Sequence, residues 1–136
     1  MIVLEVNLLT QKYRLKSKSD FSKTYRYGHS KANSYLVLYF FPQGKKTAAI
    51  GNPRIGFSVS KKLGNAVVRN KIKRRMRAAI KPYLQLIRSD VDIIFIARKK
   101  IKGISFSDVE KNMICLLKKA GLLEQTNSSN RQSSDV

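Results

Sequence analysis

The sequence predicts one α+β domain in which helices cover a single sheet. First, 136 residues is a length typical of one domain. Second, the hydrophobic pattern changes between helical and strand periodicity in the order helix, two or three strands, helix, strand, helix. Third, 43% of the residues are apolar, which is enough for a core although 28 Lys and Arg residues face only 8 Asp and Glu residues. No apolar run approaches the roughly 18 residues that a membrane-spanning helix needs.

A first helix is predicted from Ser19 to Gly28. Ser19 is a favourable N-cap residue, and Gly28 is a common helix terminator. Phe21 and Tyr25 are four positions apart and therefore share one face of this helix. His29, the sole histidine, follows in a Gly-His-Ser sequence, and we interpret it as a surface turn residue rather than a general base.

Two strands and a second helix follow. Residues 35–41 are rich in aromatic and branched side chains, and in residues 54–60 every second side chain is large and apolar, so each stretch predicts a strand. Asn65 is a favourable N-cap residue, which predicts a helix that starts at Ala66. Pro82 lacks an N–H group and predicts the end of that helix, or a kink, just before it.

The remaining elements are a buried strand and a third helix. Residues 91–97 form an almost continuous apolar run, which is typical of a central strand. Ser107 and Glu110 match a capping box, and Gly121 follows the predicted end of the helix. Cys115, the single cysteine, lies in an apolar run and is predicted to be a buried, inert thiol, which fits a reducing compartment.

The second helix combines an apolar face with a high density of positive charge. Val68, Ile72 and Met76 recur at helical spacing and are expected to pack on the core. Like charges at i, i+4 cost roughly 0.2–0.5 kcal/mol per pair, so a helix with many of them predicts a polyanionic partner. The cations of this helix are Arg69, Lys71, Lys73, Arg74, Arg75 and Arg77.

RNA is the partner that the sequence favours. Arg and Asn side chains suit phosphates, and Phe21, Tyr25 and Tyr39 could stack on unpaired bases beside the basic helix, or could simply pack in the core. A solvated helix face normally mixes charges, a membrane-surface helix carries bulkier apolar residues, and a DNA-binding regulator needs a second helix at turn spacing. A non-catalytic RNA-binding protein, such as a ribosomal or assembly protein, would explain the charge equally well.

The chain lacks the residue patterns of a hydrolase. A two-metal nuclease needs several converging carboxylates, and Asp90 and Asp92 are the only close pair of acids outside the capping box. No Ser/His/Asp, Cys/His or P-loop arrangement is present. We therefore predict no catalytic and no metal-ligating residue in this chain, and expect that any nuclease activity depends on a second component.

One long block resembles a known family. Residues 54–77, RIGFSVSKKLGNAVVRNKIKRRMR, are closely similar to the signature of the bacterial ribonuclease P protein subunit. Residues 15–28, 35–40 and 92–100 match the same family, in the order that the family shows. The resemblance covers residues 13–121.

The resemblance implies a ribonucleoprotein enzyme that removes the 5′ leader from precursor tRNA. In that family a large RNA subunit is the catalyst and uses Mg²⁺, whereas the small basic protein binds this RNA and the leader and holds no tightly bound cofactor. The family fold is a single-domain α-β-β-β-α-β-α sandwich whose β-α-β crossover is left-handed, an exception to the usual rule. The implied partners are the catalytic RNA and precursor tRNA, with no membrane and no DNA, and the implied location is the cytoplasm.

The resemblance also implies which residues contact each RNA. A cleft between the first helix and the sheet takes the single-stranded leader, and the matching residues are Phe21, Tyr25 and Tyr39. Lys71 stands where the family has Arg, which replaces a planar, bidentate donor by a point charge. The family's basic helix faces the catalytic RNA, and the matching positions are Lys61, Lys62, Arg69, Asn70, Lys71, Lys73, Arg74 and Arg77.

The resemblance divides the chain into three parts. Residues 1–12 are an N-terminal extension, residues 13–121 are the ribonuclease P protein domain, and residues 122–136 are a polar tail. The tail is predicted to be disordered because Val136 is the only large apolar residue from Gln125 to Val136.

Overall fold

The structure is a computed structural model that describes residues 11–43 and 52–123. Its elements follow the predicted order α-β-β-β-α-β-α. Short 3₁₀ segments at Gln11–Tyr13, Lys61–Leu63, Lys81–Leu86 and Lys99–Ile101 lie between or before them. The helices and strands are α1 (Lys18–Tyr27), β1 (His29–Ala32), β2 (Leu36–Pro42), β3 (Arg54–Ser58), α2 (Ala66–Ile80), β4 (Val91–Ala97) and α3 (Phe106–Lys119).

The four strands form one sheet in the order β1-β2-β4-β3. β2 is antiparallel to both of its neighbours, whereas β3 runs parallel to β4, with Ile55 opposite Ile93. Helix α2 is therefore the crossover between two adjacent parallel strands, which is the connection that parallel pairing requires. The left-handed sense that the resemblance implies for this crossover stays a prediction.

The core lies between one face of the sheet and helices α2 and α3. Side chains alternate between the faces of a strand, so Ile93 and Phe95 of β4 both point to this side, and both are fully buried. Met76 of α2 and Met113 of α3 are fully buried in the same cluster. The apolar face that the sequence predicts for α2 is thus confirmed as a core face.

The opposite face of the sheet carries α1. In one row across the strands, Tyr39, Ile94 and Gly56 lie directly opposite one another. Phe21 of α1 meets Gly56, and Tyr25 of α1 meets Tyr39. Helix α1 therefore crosses the sheet above this row, and Ile94 is buried beneath it. This arrangement leaves β4 buried on both faces, as its continuous apolar run predicted.

The N-caps of α1 and α3 each lie two residues earlier than predicted. Ser17, not Ser19, caps α1, because its hydroxyl oxygen accepts from the backbone N–H groups of Ser19 and Asp20. Ser105, not Ser107, caps α3 by accepting from the N–H of Asp108 at 3.1 Å. In each case a second serine lies upstream, in extended backbone, and the predicted serine is already inside the helix.

The turn predicted at His29 and the burial predicted for Cys115 are wrong, whereas the surface position of His29 is confirmed. His29 begins strand β1 and pairs with Phe40 rather than forming a turn, although it is exposed. The thiol of Cys115 is exposed, because α3 turns Leu116 and Leu117 toward the core and leaves Cys115 on the outer side.

The boundaries of α2 agree with the sequence. Asn65 caps its start by accepting from the N–H of Val68 at 3.0 Å. The helix ends at Ile80, and the chain continues through Pro82 in a 3₁₀ segment. The capping residue and the proline therefore fixed both ends of the helix, as expected.

The folded chain continues slightly beyond the predicted domain end. Leu122 is buried, and Leu123 forms a bridge with Ile87, so these two residues belong to the packed structure rather than to a polar tail. The division into extension, domain and tail otherwise stays a prediction. Residues 1–10 and 124–136, which hold most of the predicted extension and tail, lie outside the described residues.

We expect Phe95→Ala to lower the free energy of unfolding by about 3–5 kcal/mol, because it removes a fully buried ring from the centre of β4. Val67→Ala is the control, since Val67 is 76% exposed and its loss should change stability by less than about 0.5 kcal/mol. Urea unfolding followed by circular dichroism measures both. Equal effects of the two substitutions would contradict the assignment of the core.

Candidate nucleic-acid interface

The cations of helix α2 lie on its outer side because its apolar side chains pack in the core. Ile72, Met76 and Ile80 are buried, so the side chains between them point away from the sheet and α3. Arg69, Lys73 and Arg77 recur every four residues and are half-buried, and Asn70 and Arg74 beside them are exposed. We call these last five residues the basic face.

Lys71 and Arg75 do not belong to the basic face. They border a cavity on the other side of α2, against residues 101–104. Arg75 is also engaged, because its guanidinium donates to the carbonyl oxygen of Ile104 at 2.9 Å. Lys71 and Arg75 also line a second cavity together with Arg74, so Lys71 lies beside the basic face as well as facing residues 101–104.

Lys61 and Lys62 lie in the turn that joins β3 to α2. Ser60 caps this turn by accepting from the N–H of Lys62 at 3.1 Å, and both lysines are exposed. Lys62 lines an open cavity of about 710 Å³ together with three further cations, Arg98, Lys99 and Lys100, which follow β4. These three were not assigned from the sequence, although the run Ala-Arg-Lys-Lys at 97–100 is a visible cluster of charge.

Phe21, Tyr25 and Tyr39 form the aromatic cleft. The ring centroids of Phe21 and Tyr25 are 6.3 Å apart, and those of Tyr25 and Tyr39 are 5.2 Å apart in an edge-to-face arrangement. Tyr25 is 39% exposed, while the other two rings are half-buried. The three predicted leader-binding residues are therefore brought together, with ring surface that solvent can reach.

Gly56 makes room for the ring of Phe21. A β-carbon at this position would collide with Cζ of Phe21. The ring thus rests directly on the backbone of β3. The need for a glycine here depends on the packing of α1, which periodicity in the sequence does not reveal.

Arg54 fastens α1 to the sheet. Its guanidinium donates to Oδ1 of Asp92 at 2.8 Å and to Oδ2 at 2.7 Å, and it lies 3.1 Å from Oδ2 of Asp20. The side-chain amide of Gln43 donates to the same Asp92 at 3.1 Å. The hydrogen bond with Asp92 raises the pKa of Arg54, opposed by burial. We call Asp20, Arg54 and Asp92 the clamp.

Three cations meet where the aromatic cleft approaches α2. Arg14, Lys73 and Arg77 line one small cavity of about 130 Å³ with Phe21. Burial lowers the pKa of Arg77, and the charges of Arg14 and Arg74 lower it further. The basic face and the aromatic cleft therefore join into one continuous surface.

Most of the described acids have structural partners. Asp20 and Asp92 belong to the clamp, Asp90 pairs with Arg88 at 2.9 Å, and Glu110 accepts from the hydroxyl of Tyr83 at 3.2 Å. Within residues 11–43 and 52–123, no three His, Cys, Asp or Glu side chains group closely enough to hold a metal ion. In the same ranges, no helix is both long and apolar enough to cross a bilayer.

Comparison with known proteins gives one consistent family. The model of the family described as Ribonuclease P matches residues 9–121. The ribonuclease P protein component of Streptococcus pneumoniae (strain Hungary19A-6) is 36% identical over 125 residues, which are 92% of this chain and 98% of the relative. That of Bacillus velezensis is 39% identical over 120 residues, which are 88% of this chain and 99% of the relative. The structure of the Staphylococcus aureus RNase P protein superposes with a TM-score of 0.73 at 41% identity, covering 82% of this chain and 98% of that one.

We expect Gly56→Ala to destabilise the protein by about 1–3 kcal/mol, because the added methyl group collides with the ring of Phe21. The same substitution in a Phe21→Ala background should cost at least about 0.5 kcal/mol less, because the obstructing ring is gone. Denaturant unfolding of the unsubstituted protein, the two single variants and the double variant gives the coupling energy between Gly56 and Phe21. Strict additivity would show that the ring does not rest on Gly56.

We expect Arg54→Met to lower the free energy of unfolding by about 3–5 kcal/mol, because it leaves the buried carboxylate of Asp92, which is 4% exposed, without its cation. Arg88→Met breaks an exposed ion pair of similar geometry and should cost less than about 1 kcal/mol. Thermal and urea unfolding compare the two variants. A loss at Arg54 no larger than that at Arg88 would contradict the clamp.

Proposed function

Because this chain belongs to the ribonuclease P protein family, and is a protein component of that tRNA-processing ribonuclease, we propose that it binds RNA at two places. The basic face binds the RNA subunit of the enzyme, its family partner. The aromatic cleft binds the single-stranded 5′ leader of precursor tRNA. The observation that carries the proposal is that one surface joins a cationic helix to three partly open aromatic rings.

The basic face suits a folded RNA because its chemistry is directed at phosphates. Arg and Lys neutralise backbone charge and release counterions, and the planar guanidinium of Arg74 can bind a phosphate with two hydrogen bonds. Helix α2 is held rigidly by its buried stripe, so these donors keep a fixed spacing. Lys61 and Lys62 extend the positive surface beyond the start of the helix.

The aromatic cleft suits a single strand rather than a duplex. Unpaired bases can stack on Phe21, Tyr25 and Tyr39, and such stacking tolerates many sequences because every base has a flat face. In a duplex the bases are already stacked on one another. The cleft would therefore distinguish a precursor, which carries a leader, from mature tRNA, which does not.

We assign the cleavage chemistry to the RNA subunit, with Mg²⁺ as its metal ion and no tightly bound cofactor in the protein. The support is the engagement of the acids nearest to the cleft, since Asp20 and Asp92 are both bonded to Arg54. A carboxylate that is committed to an arginine is a poor candidate for catalysis. The role of this chain is then to bind and position RNA.

We also place the protein in the cytoplasm, with RNA rather than DNA or a membrane as its partner. Cys115 is an exposed free thiol, and such a group persists in a reducing compartment.

We expect Arg74→Ala to weaken binding of the RNA subunit and to reduce the slope of log affinity against log salt concentration by about 0.7–0.9, the effect of losing one phosphate contact. Lys111→Ala on the exposed side of α3 removes the same charge and should leave the slope unchanged. Filter binding over a series of KCl concentrations measures both. An unchanged slope for Arg74→Ala would exclude the basic face as the contact.

We expect Tyr25→Ala to weaken binding of leader-bearing precursor tRNA by roughly 5- to 150-fold, because base–aromatic stacking contributes about 1–3 kcal/mol per base. Mature tRNA should bind as before. Tyr27→Ala is the matched control, since Tyr27 lies on the same helix, is 61% exposed and does not face Tyr39. The reconstituted enzyme is titrated with each RNA, and equal losses for precursor and mature tRNA would refute leader binding at the cleft.

A further inference from the structure

The small cavity at the end of the aromatic cleft is built from four separate parts of the chain. Arg14 comes from the segment before α1, Phe21 from α1, Gly56 from β3, and Lys73 and Arg77 from α2. Its volume of about 130 Å³ is well below the roughly 300 Å³ at which pockets for whole small molecules begin. It therefore suits one compact group rather than a complete nucleotide.

Arg14 is held in this cavity by backbone pairing. It forms a parallel bridge with Ile55 on the outer edge of β3, and the N–H of the next residue, Leu15, donates to the carbonyl oxygen of Ile55 at 3.1 Å. Leu15 is buried and anchors the segment. The pairing places the backbone of Arg14 at the edge of β3, and its side chain, which is exposed, lines the cavity together with Lys73 and Arg77 of α2.

Like charges are concentrated here without a neutralising group in the cavity wall. None of the described residues that line the cavity is acidic. The carboxylate of Asp20, one residue before Phe21, is bonded to Arg54. Proximity of Arg14 to Arg77 is unfavourable for both cations, as the lowered pKa of Arg77 indicates, and an anion between them would relieve the repulsion.

We propose that Arg14, Lys73 and Arg77 form a phosphate cradle, which holds one backbone phosphate of the RNA strand that lies in the aromatic cleft. The inference rests on the proposed binding of the leader. Phe21 lines both the cleft and the cavity, so a base that stacks on this ring brings its own phosphates to the three cations. The cradle adds Arg14 to the interface, and it gives Lys73 and Arg77 a contact with the leader in addition to the contact with the RNA subunit proposed for the basic face.

The test uses the reconstituted enzyme and precursor tRNAs in which one leader phosphate at a time is replaced by a neutral methylphosphonate. With the unsubstituted protein, one position should weaken substrate binding by about 10- to 100-fold, as expected for the loss of a charge-assisted contact. Arg14→Ala should cause a loss of similar size with the unmodified leader. When the methylphosphonate is at the sensitive position, Arg14→Ala should not weaken substrate binding further, because the contact is already missing.

Three further variants separate the cradle from a general effect of positive charge. Arg14→Lys should recover part of the affinity, and Lys73→Ala should show the same lack of additivity as Arg14→Ala. Arg88→Ala removes one positive charge outside this surface, at a residue paired with Asp90, and should bind every substrate normally. Urea unfolding confirms that each variant is folded.

Two results would overturn the cradle. If no leader position is sensitive, or if Arg14→Ala adds its full loss at every position, the three cations do not hold a leader phosphate. If Arg14→Ala instead weakens binding of the RNA subunit, or of mature tRNA to the same extent, their anion belongs to another RNA segment. A leader-specific loss with Tyr25→Ala would still support the aromatic cleft in either case, so the two proposals fail separately.

Discussion

Arg54 is the side chain on which the aromatic cleft depends, because it joins the first helix to the sheet. Its guanidinium is bound on one side to the buried carboxylate of Asp92 and on the other to Asp20 in the first turn of α1. Phe21 follows Asp20 directly, so the clamp determines where its ring lies over Gly56. One helical turn later, α1 reaches β2 and completes the cleft. Burying the ion pair between Arg54 and Asp92 costs solvation energy, so its main effect here is to hold α1 in place over the sheet.

Helix α2 is subject to a second constraint. Its apolar side chains must complete the core, while the like-charged side chains on its exposed side repel one another. Repulsion between like charges costs a few tenths of a kcal/mol per pair, about 0.2–0.5, whereas each buried side chain such as Ile72 or Met76 contributes about 1.5–3 kcal/mol. The contribution of the buried side chains therefore exceeds the repulsion between the cations of the helix. Bound phosphates would relieve this repulsion, in a chain whose net charge is +20.

Local patterns predicted most of the fold, and contacts between distant segments account for what they missed. The run 91–97 and the ends of α2 follow from periodicity, an N-cap and a proline. Strand β1 was not found by pattern because all four of its residues are exposed and show no alternation. The clamp pairs Arg54 with a residue 38 positions away, and Arg14 reaches α2 only through the edge of β3, so neither could be read from spacing. Lys71 shares the charge of its neighbours, and only the packing of residues 101–104 shows that it also borders a cavity there.

We propose that this protein binds and positions RNA while its RNA partner performs the cleavage. The most direct measurement is the rate of precursor tRNA cleavage at low Mg²⁺ by a bacterial ribonuclease P RNA, with and without the protein, and by the protein alone. We expect cleavage at the mature 5′ end that is fast only when both components are present, and none with the protein alone. Cleavage by the isolated protein, or tight binding of the RNA without any gain in rate, would contradict it.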